Sequence, residues 1–219
     1  MTQGKTIIND FSANGLRKAP QQARSKARVE AILTAARQIL DAGGFEALTI
    51  RRVADEAGVP TGTVYQFFED KSALLTAVVR RYMEGSSAAM AALVEQASTA
   101  PWTELVDSVL DGYVELYRRN PGYLSIRIGR HLTPELLATD AANNDAVADG
   151  VRHILVAREG LTDSPALATA CRAGVYAAEA LLHLAFRTDP EGDPATLAET
   201  KRVVTLYLTD VLADPRYRS

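Results

Sequence analysis

A single cysteine, Cys171, stands in 219 residues, so an intrachain disulfide is excluded. The three histidines, His131, His153 and His183, are widely separated and no HExxH or paired-cysteine motif accompanies them, which leaves no dense metal-ligand set. Neither a phosphate-cradling glycine loop nor a serine nucleophile elbow occurs. The apolar pair Ile7 and Ile8 is cut off at once by Asn9 and Asp10, so no signal-peptide pattern opens the chain. Nowhere does an apolar run approach the roughly 18 residues of a membrane span. These absences point away from an enzyme, a metal or other cofactor, and a membrane partner. The expected location is cytoplasmic.

What the chain has is charge that divides along its length. Residues 1–82 hold 12 Lys+Arg and 8 Asp+Glu, a net of +4, and residues 83–219 hold 12 and 19, a net of −7. A basic front and an acidic remainder suit a small DNA-binding module carried on a larger domain with another task.

Helical periodicity runs through almost all of it. Residues 1–23 lack an apolar period and carry Lys5, Arg17 and Lys18, which reads as a flexible basic arm suited to a DNA backbone or minor groove, the alternative being a solubilising leader. From Ser25, Val29, Ile32, Leu33, Ala36 and Leu40 form one apolar stripe, stopped by Gly43 and Gly44. Phe45 and Leu48 are expected to close the small core below this stop. Thr49 reads as the cap of a second helix ending near Gly58, and Pro60 as the first-turn residue of a third that runs to about Phe67. A fourth helix starts near Lys71 and continues past Tyr82. Further helices are expected over Trp102 to Leu116, over Tyr123 to Ile128, over Leu136 to Val156, from Ser164 to Arg187 and from Pro194 to Leu212. Proline, glycine and asparagine punctuate these segments, most clearly in the loop Asp189 to Pro194. The fold class is therefore all-α, with a basic arm at 1–23, a helix-turn-helix domain at 24–70 and a helical effector-binding and dimerisation domain at 71–219.

Two short helices separated by a glycine turn between Leu48 and Leu75 have the spacing that sets one helix in a DNA groove. Small residues Thr61, Gly62 and Thr63 let the third helix approach base edges by its N-terminal end. Thr63 and Gln66 are the candidates for the groove floor, Gln66 having the amide geometry for a bidentate pair with adenine, and the Thr61 hydroxyl suits a phosphate or base acceptor. Arg51, Arg52, Tyr65 and Lys71 flank that helix with long donors and are assigned to phosphates, or in the plainer reading to a solvated face and a half-buried ring.

The same segment resembles the N-terminal domain of the TetR (tetracycline-repressor-like) family of transcriptional regulators. The likeness covers about Arg28 to Val79 and lies in Ala35-Ala36, Gly44-Phe45, Leu48-Thr49, Val53-Ala54, Ala57-Gly58-Val59, Gly62-Thr63-Val64-Tyr65, Phe67-Phe68, Lys71 and Leu74-Leu75. Pro60 departs from the pattern, since many members carry a serine there that caps the reading helix. The resemblance implies an all-helical homodimer with three DNA-binding helices, a connecting fourth and a C-terminal ligand-binding domain whose last two helices pair with their partners. It also implies a repressor that leaves double-stranded operator DNA when a small molecule binds.

On that basis the alanine- and glycine-rich eighth segment, with Leu181, Leu182 and Phe186, and the Val204, Leu208 and Val211 face of the ninth are expected at the two-fold axis, the alternative being an intrachain core without a dimer. Trp102, Tyr113, Tyr117, Tyr123, Ile126 and His131, with Tyr176, supply apolar walls with polar tips for a small, mostly apolar effector. Such an effector would displace the fourth helix and alter the spacing of the two reading heads. The alternatives are a transcriptional activator, or a helical enzyme or scaffold that does not bind DNA.

Overall fold

The structure, a computed structural model, describes Leu16 and residues 23–96, 100–129 and 134–218, with the side chains of 85–96 and 135 left aside. Among these residues there are nine α-helices and no strands: α1 (Ala23–Ala47), α2 (Ile50–Glu56), α3 (Thr61–Phe67), α4 (Lys71–Gln96), α5 (Trp102–Arg119), α6 (Pro121–Ile128), α7 (Pro134–Glu159), α8 (Pro165–Thr188) and α9 (Pro194–Ala213). The expected order of helices is present. The basic arm and His131 lie outside the described residues, apart from Leu16 and Ala23.

Local chemistry accounts for most helix ends. Thr49 caps α2 by accepting from Arg52 N at 3.2 Å, and Asp70 caps α4 by accepting from Ala73 N at 2.8 Å. Ser164 and Asp193 cap α8 and α9, each followed by a proline whose missing N–H leaves no helical bond unmade. The helical run of α1 is broken at Gly44, whose φ of 68° lies in the left-handed region, and a last turn then leads through Phe45. Leu48 is fully buried beneath it, whereas Phe45 is only half-buried. A short 3-10 turn, Pro215–Tyr217, follows α9, and the Tyr217 carbonyl accepts from Thr162 N at 2.7 Å.

Two compact units result. The first comprises residues 1–84 and 120–133, the second 85–119 and 134–219. α6 therefore belongs with α1 to α3 and the first part of α4, although its position in the sequence placed it in the effector-binding region. The reason lies in packing: α6 turns Tyr123, Leu124 and Ile126 inward, and its glycine lets it lie directly on α1. The core of the first unit contains Ile32, Leu40, Leu48, Val53, Val64, Phe68, Leu74 and Ile126. In the second unit Tyr117, Leu136, Leu167, Leu182, Phe186 and Leu208 are buried, and α8 packs on both α7 and α9. Tyr207 of α9 lies across Gly174 of α8 and donates to the Ala170 carbonyl at 3.2 Å. Lys201 of α9 pairs with Asp111 of α5 at 2.7 Å.

Candidate functional site

Gly58 builds the turn between α2 and α3. With φ at 64° it lets its own N–H reach the Asp55 carbonyl at 3.2 Å and the next N–H, of Val59, reach the Ala54 carbonyl at 3.0 Å. That pair of bonds is the Schellman closure, in which a left-handed residue turns the chain back over the last helical carbonyls. Pro60 then stands one position earlier than the sequence placed it. Its ψ of 142° is extended, so it precedes the first helical residue, Thr61, and its carbonyl accepts from Thr63 N at 2.8 Å. A proline has no side-chain acceptor, and α3 starts without a side-chain cap.

The faces of α3 separate cleanly. Val64 and Phe67 are buried against the first unit's core, while Thr61, Gly62, Tyr65 and Gln66 are exposed and Thr63 is half-exposed. Tyr65 keeps 46% of its surface in solvent, so the half-buried reading of its ring does not hold. Arg51 and Arg52 are exposed at the start of α2, and the Arg52 guanidinium also reaches the Ala47 carbonyl at 3.5 Å. Lys71 points elsewhere. Its Nζ donates to the Phe45 carbonyl at 3.2 Å and stands 3.8 Å from the centre of the Phe45 ring, so it fastens the end of α1 to the start of α4.

A second cluster in this unit was not anticipated from sequence. Asp41 Oδ1 accepts from the Tyr82 hydroxyl at 2.9 Å and from Gly122 N at 3.0 Å, while its other oxygen takes Arg37 Nε at 3.4 Å. Arg37 also donates to Asn120 Oδ1 at 3.1 Å and lies over the Tyr82 ring, which stacks on Tyr123 at 5.4 Å. One carboxylate thus joins α1, α4 and the N-terminal end of α6. Burial, then the Asp41 charge, pushes the Tyr82 phenol well above the usual tyrosine range. A Cβ at position 122 would stand 2.7 Å from the backbone carbon of Leu40, so only glycine permits this approach.

The residues expected to line an effector site are divided. Tyr123 and Ile126 are buried in the first unit, where the Tyr123 hydroxyl accepts from Arg127 at 3.1 Å. Trp102, Tyr113, Tyr117 and Tyr176 belong to the second. Tyr113 and Tyr117 are one turn apart on α5, and Tyr117 meets the edge of Phe186 at a centroid distance of 5.3 Å. The Tyr176 hydroxyl lies at 3.3 Å from Asp145 of α7. Sequence reading passed over three polar partners here: Asn144 of α7 donates to Glu179 Oε2 of α8 at 2.5 Å, and His183, one turn further on, has Nε2 at 3.4 Å from the Tyr117 hydroxyl. Nothing local marks such residues, since their juxtaposition requires three helices to converge. Cys171 is buried, and burial pushes its thiol up to about 11, which keeps it protonated and unreactive. Among the described residues no group of acidic, histidine or cysteine side chains is placed to hold a metal, and no helix is long and apolar enough to cross a membrane.

The expected two-fold face also changes. Leu182, Phe186, Val204, Leu208 and Val211 are consumed in the core of their own unit, because α8 and α9 need them to pack within the chain. On α8 and α9 the large apolar side chains left exposed are Leu184, Val203 and Leu206, the last 59% exposed. Ala173, Ala177 and Ala180 continue the exposed stripe of α8 towards Leu184.

Comparison with known proteins agrees with this architecture. Residues 32–78 match the family described as bacterial regulatory proteins, tetR family, and residues 100–212 match the tetracyclin repressor-like, C-terminal domain. A TetR-family transcriptional regulator from Streptomyces coelicolor is 29% identical, with 84% of this chain and 99% of that one aligned at a TM-score of 0.65. The multidrug binding protein EbrR, solved with imidazole, is 25% identical over 87% of this chain and 97% of its own, with a TM-score of 0.64. A transcriptional regulator from Cytophaga hutchinsonii shares the fold at 14% identity and a TM-score of 0.64, covering 88% of this chain and 100% of that one. No curated protein sequence matches the chain. With its C-terminal match alone spanning more than half of the residues and its helix-turn-helix matched separately, the chain belongs to the TetR family of transcriptional regulators.

Proposed function

We propose that this protein is a cytoplasmic homodimeric repressor that binds palindromic operator DNA through α3 and releases it when a small, largely apolar molecule enters the second unit. The exposed face of α3 carries this reading. Thr61, Gly62, Tyr65 and Gln66 lie together in solvent on a helix whose opposite side is anchored by Val64 and Phe67, which is the arrangement that major-groove reading requires. Thr63 and Gln66 read base edges, while Thr61, Tyr65, Arg51 and Arg52 hold phosphates. Lys71, tied to Phe45, contributes by keeping the reading head rigid next to the backbone. The helix-turn-helix domain spans 24–70 as a DNA-contacting element, with α6 packed on its α1. Within residues 71–219, the second unit carries effector binding and dimerisation.

Dimerisation supports the mechanism because two heads about 34 Å apart reach successive major grooves on one side of the duplex. The stripe of Ala173, Ala177, Ala180 and Leu184 on α8, with Val203 and Leu206 on α9, supplies an apolar face for a four-helix pairing. α4 gives residues through Glu84 to the first unit and from Gly85 to the second, so it is the continuous element through which an effector shifts the heads. Trp102, Tyr113, Tyr117 and Tyr176 are the effector contacts of this reading.

Footprinting of the dimer on genomic DNA at moderate salt is expected to protect a palindrome, and absence of any protected site refutes DNA binding. Arg52→Ala with Tyr65→Ala is expected to abolish protection while sedimentation still reports a dimer. An enzyme or scaffold would keep its principal activity in that double variant.

A further inference from the structure

We propose that Glu179, with His183, Asn144 and Tyr117, forms the recognition pole of the effector site and selects a small amphipathic amine, a protonated nitrogen on an apolar or aromatic body. This rests on the effector reading above and names the class of ligand. Three helices of the second unit bring the four side chains together: Tyr117 from α5, Asn144 from α7, and Glu179 and His183 one turn apart on α8. Asn144 Nδ2 donates to Glu179 Oε2 at 2.5 Å, and the imidazole stands 3.9 Å from Glu179 Oε1, within ion-pair range and too long for a hydrogen bond. The Phe186 ring meets Tyr117 at a centroid distance of 5.3 Å, and Val114 of α5 and Leu182 of α8 are buried on the same two helices.

Stability does not explain a carboxylate in this place. Withdrawing it from water is costly, and well-packed apolar residues of similar volume commonly serve a helical interior as well or better. Nor is the cluster sealed. Tyr117 is only 1% exposed, but the Glu179 and His183 side chains retain 17% and 21% of their surface. The pole is therefore both polar and reachable, with the Tyr117 and Phe186 rings beside it.

Its chemistry favours a cation. A carboxylate oxygen accepts from an ammonium or amidinium in a short, charge-assisted bond, and aromatic rings attract the same charge by their faces. The surrounding unit works in the same direction. Residues 85–119 and 134–219 hold 10 Lys+Arg and 18 Asp+Glu, a net of −8, against 14 and 9, a net of +5, in the first unit. The negative field of the second unit raises the local concentration of cations and repels carboxylates and phosphates, leaving polyanionic DNA to the first.

The test is calorimetric titration of the full-length protein with benzyl, naphthyl and anthracenyl frames, each bearing an aminomethyl, hydroxymethyl or carboxylate head. At least one frame is expected to bind about tenfold more tightly as the amine than as the alcohol, with the carboxylate weakest. Glu179→Gln, which keeps the Asn144 partner, is expected to bring the amine to the alcohol's level. The proposal is overturned if no amine binds, if alcohols or carboxylates bind as tightly as their amines, or if Glu179→Gln keeps the preference. Should that variant fail to fold, the comparison of heads on the unsubstituted protein decides alone. The two readings separate cleanly: an amine that binds selectively without displacing operator DNA removes the effector role and keeps the site, whereas alcohols that displace operator as well as amines do remove the ligand class and keep the effector role.

Discussion

Replacing Gly122 with alanine perturbs the contact by which α6 lies on α1. The new methyl carbon would lie 2.7 Å from both Asp41 Oδ1 and the Leu40 carbonyl carbon, and 2.8 Å from Asp41 N. Two of these three atoms are backbone within a helix, so α1 has no side-chain rotation with which to give way. α6 must withdraw by roughly 0.7 Å to restore ordinary contact, which stretches the 3.0 Å bond from Gly122 N to Asp41 beyond useful length. Losing a hydrogen bond to a charged acceptor costs about 1.5–3 kcal/mol. Residual crowding adds to that, while the better helix propensity of alanine offsets at most about 1 kcal/mol, less in a first turn. The net expectation is a loss of about 2 kcal/mol, or a fall in Tm of about 4–8 °C for a chain of this length. Thermal unfolding followed by circular dichroism measures it. A Gly122→Ala protein that melts at or above the parent temperature refutes the close-approach reasoning, since it would mean that α6 moves off α1 without cost.

Gly62→Ala is the matched opposite: nothing lies within 4 Å of a Cβ there, so stability is expected to hold or rise by up to about 1 kcal/mol while operator affinity in fluorescence anisotropy falls at least tenfold. If affinity is unchanged, α3 does not approach DNA by its N-terminal end. Tyr82→Phe removes the hydroxyl held by Asp41. Because the native phenol is raised above the ordinary value near 10, the parent keeps a proton that the unfolded chain releases above that pH, and its stability falls by up to about 1.4 kcal/mol per pH unit there from this group. The variant is expected to lose this component in alkaline urea titrations, and identical slopes for parent and variant refute it. Leu206→Glu is expected to give monomers in sedimentation, with intact helical content and weakened operator binding. A dimer that survives this charge places the two-fold axis elsewhere.

The helices and their ends were legible because their causes are local. An apolar stripe at 3.6-residue spacing needs no distant partner, nor does a capping threonine, serine or aspartate, a proline or a glycine at its end, and α1, α2, α5, α8 and α9 follow from such signals. The reading head was legible for the same reason, as α2, its Schellman turn and α3 occupy fewer than twenty consecutive residues. Pro60 was misplaced by one position because a proline suits both the cap and the first helical residue, and only its ψ distinguishes them.

Sequence by itself determined the all-helical class, the helix-turn-helix, the basic and acidic division and the family, since each depends on residues close together in the chain. Tertiary structure alone decided what distance in sequence conceals. It placed α6 with the reading head, because Asp41 and Gly122 are 81 positions apart and meet only after α1 and α6 have packed. It turned Lys71 inward to Phe45, and committed Val204, Leu208 and Val211 to an intrachain core while leaving Leu184, Val203 and Leu206 outside. It also assembled Tyr117, Asn144, Glu179 and His183 from three helices. Periodicity reports that a residue is on an apolar face, but which neighbour covers that face is settled by packing, where each helix has several ways to bury the same stripe.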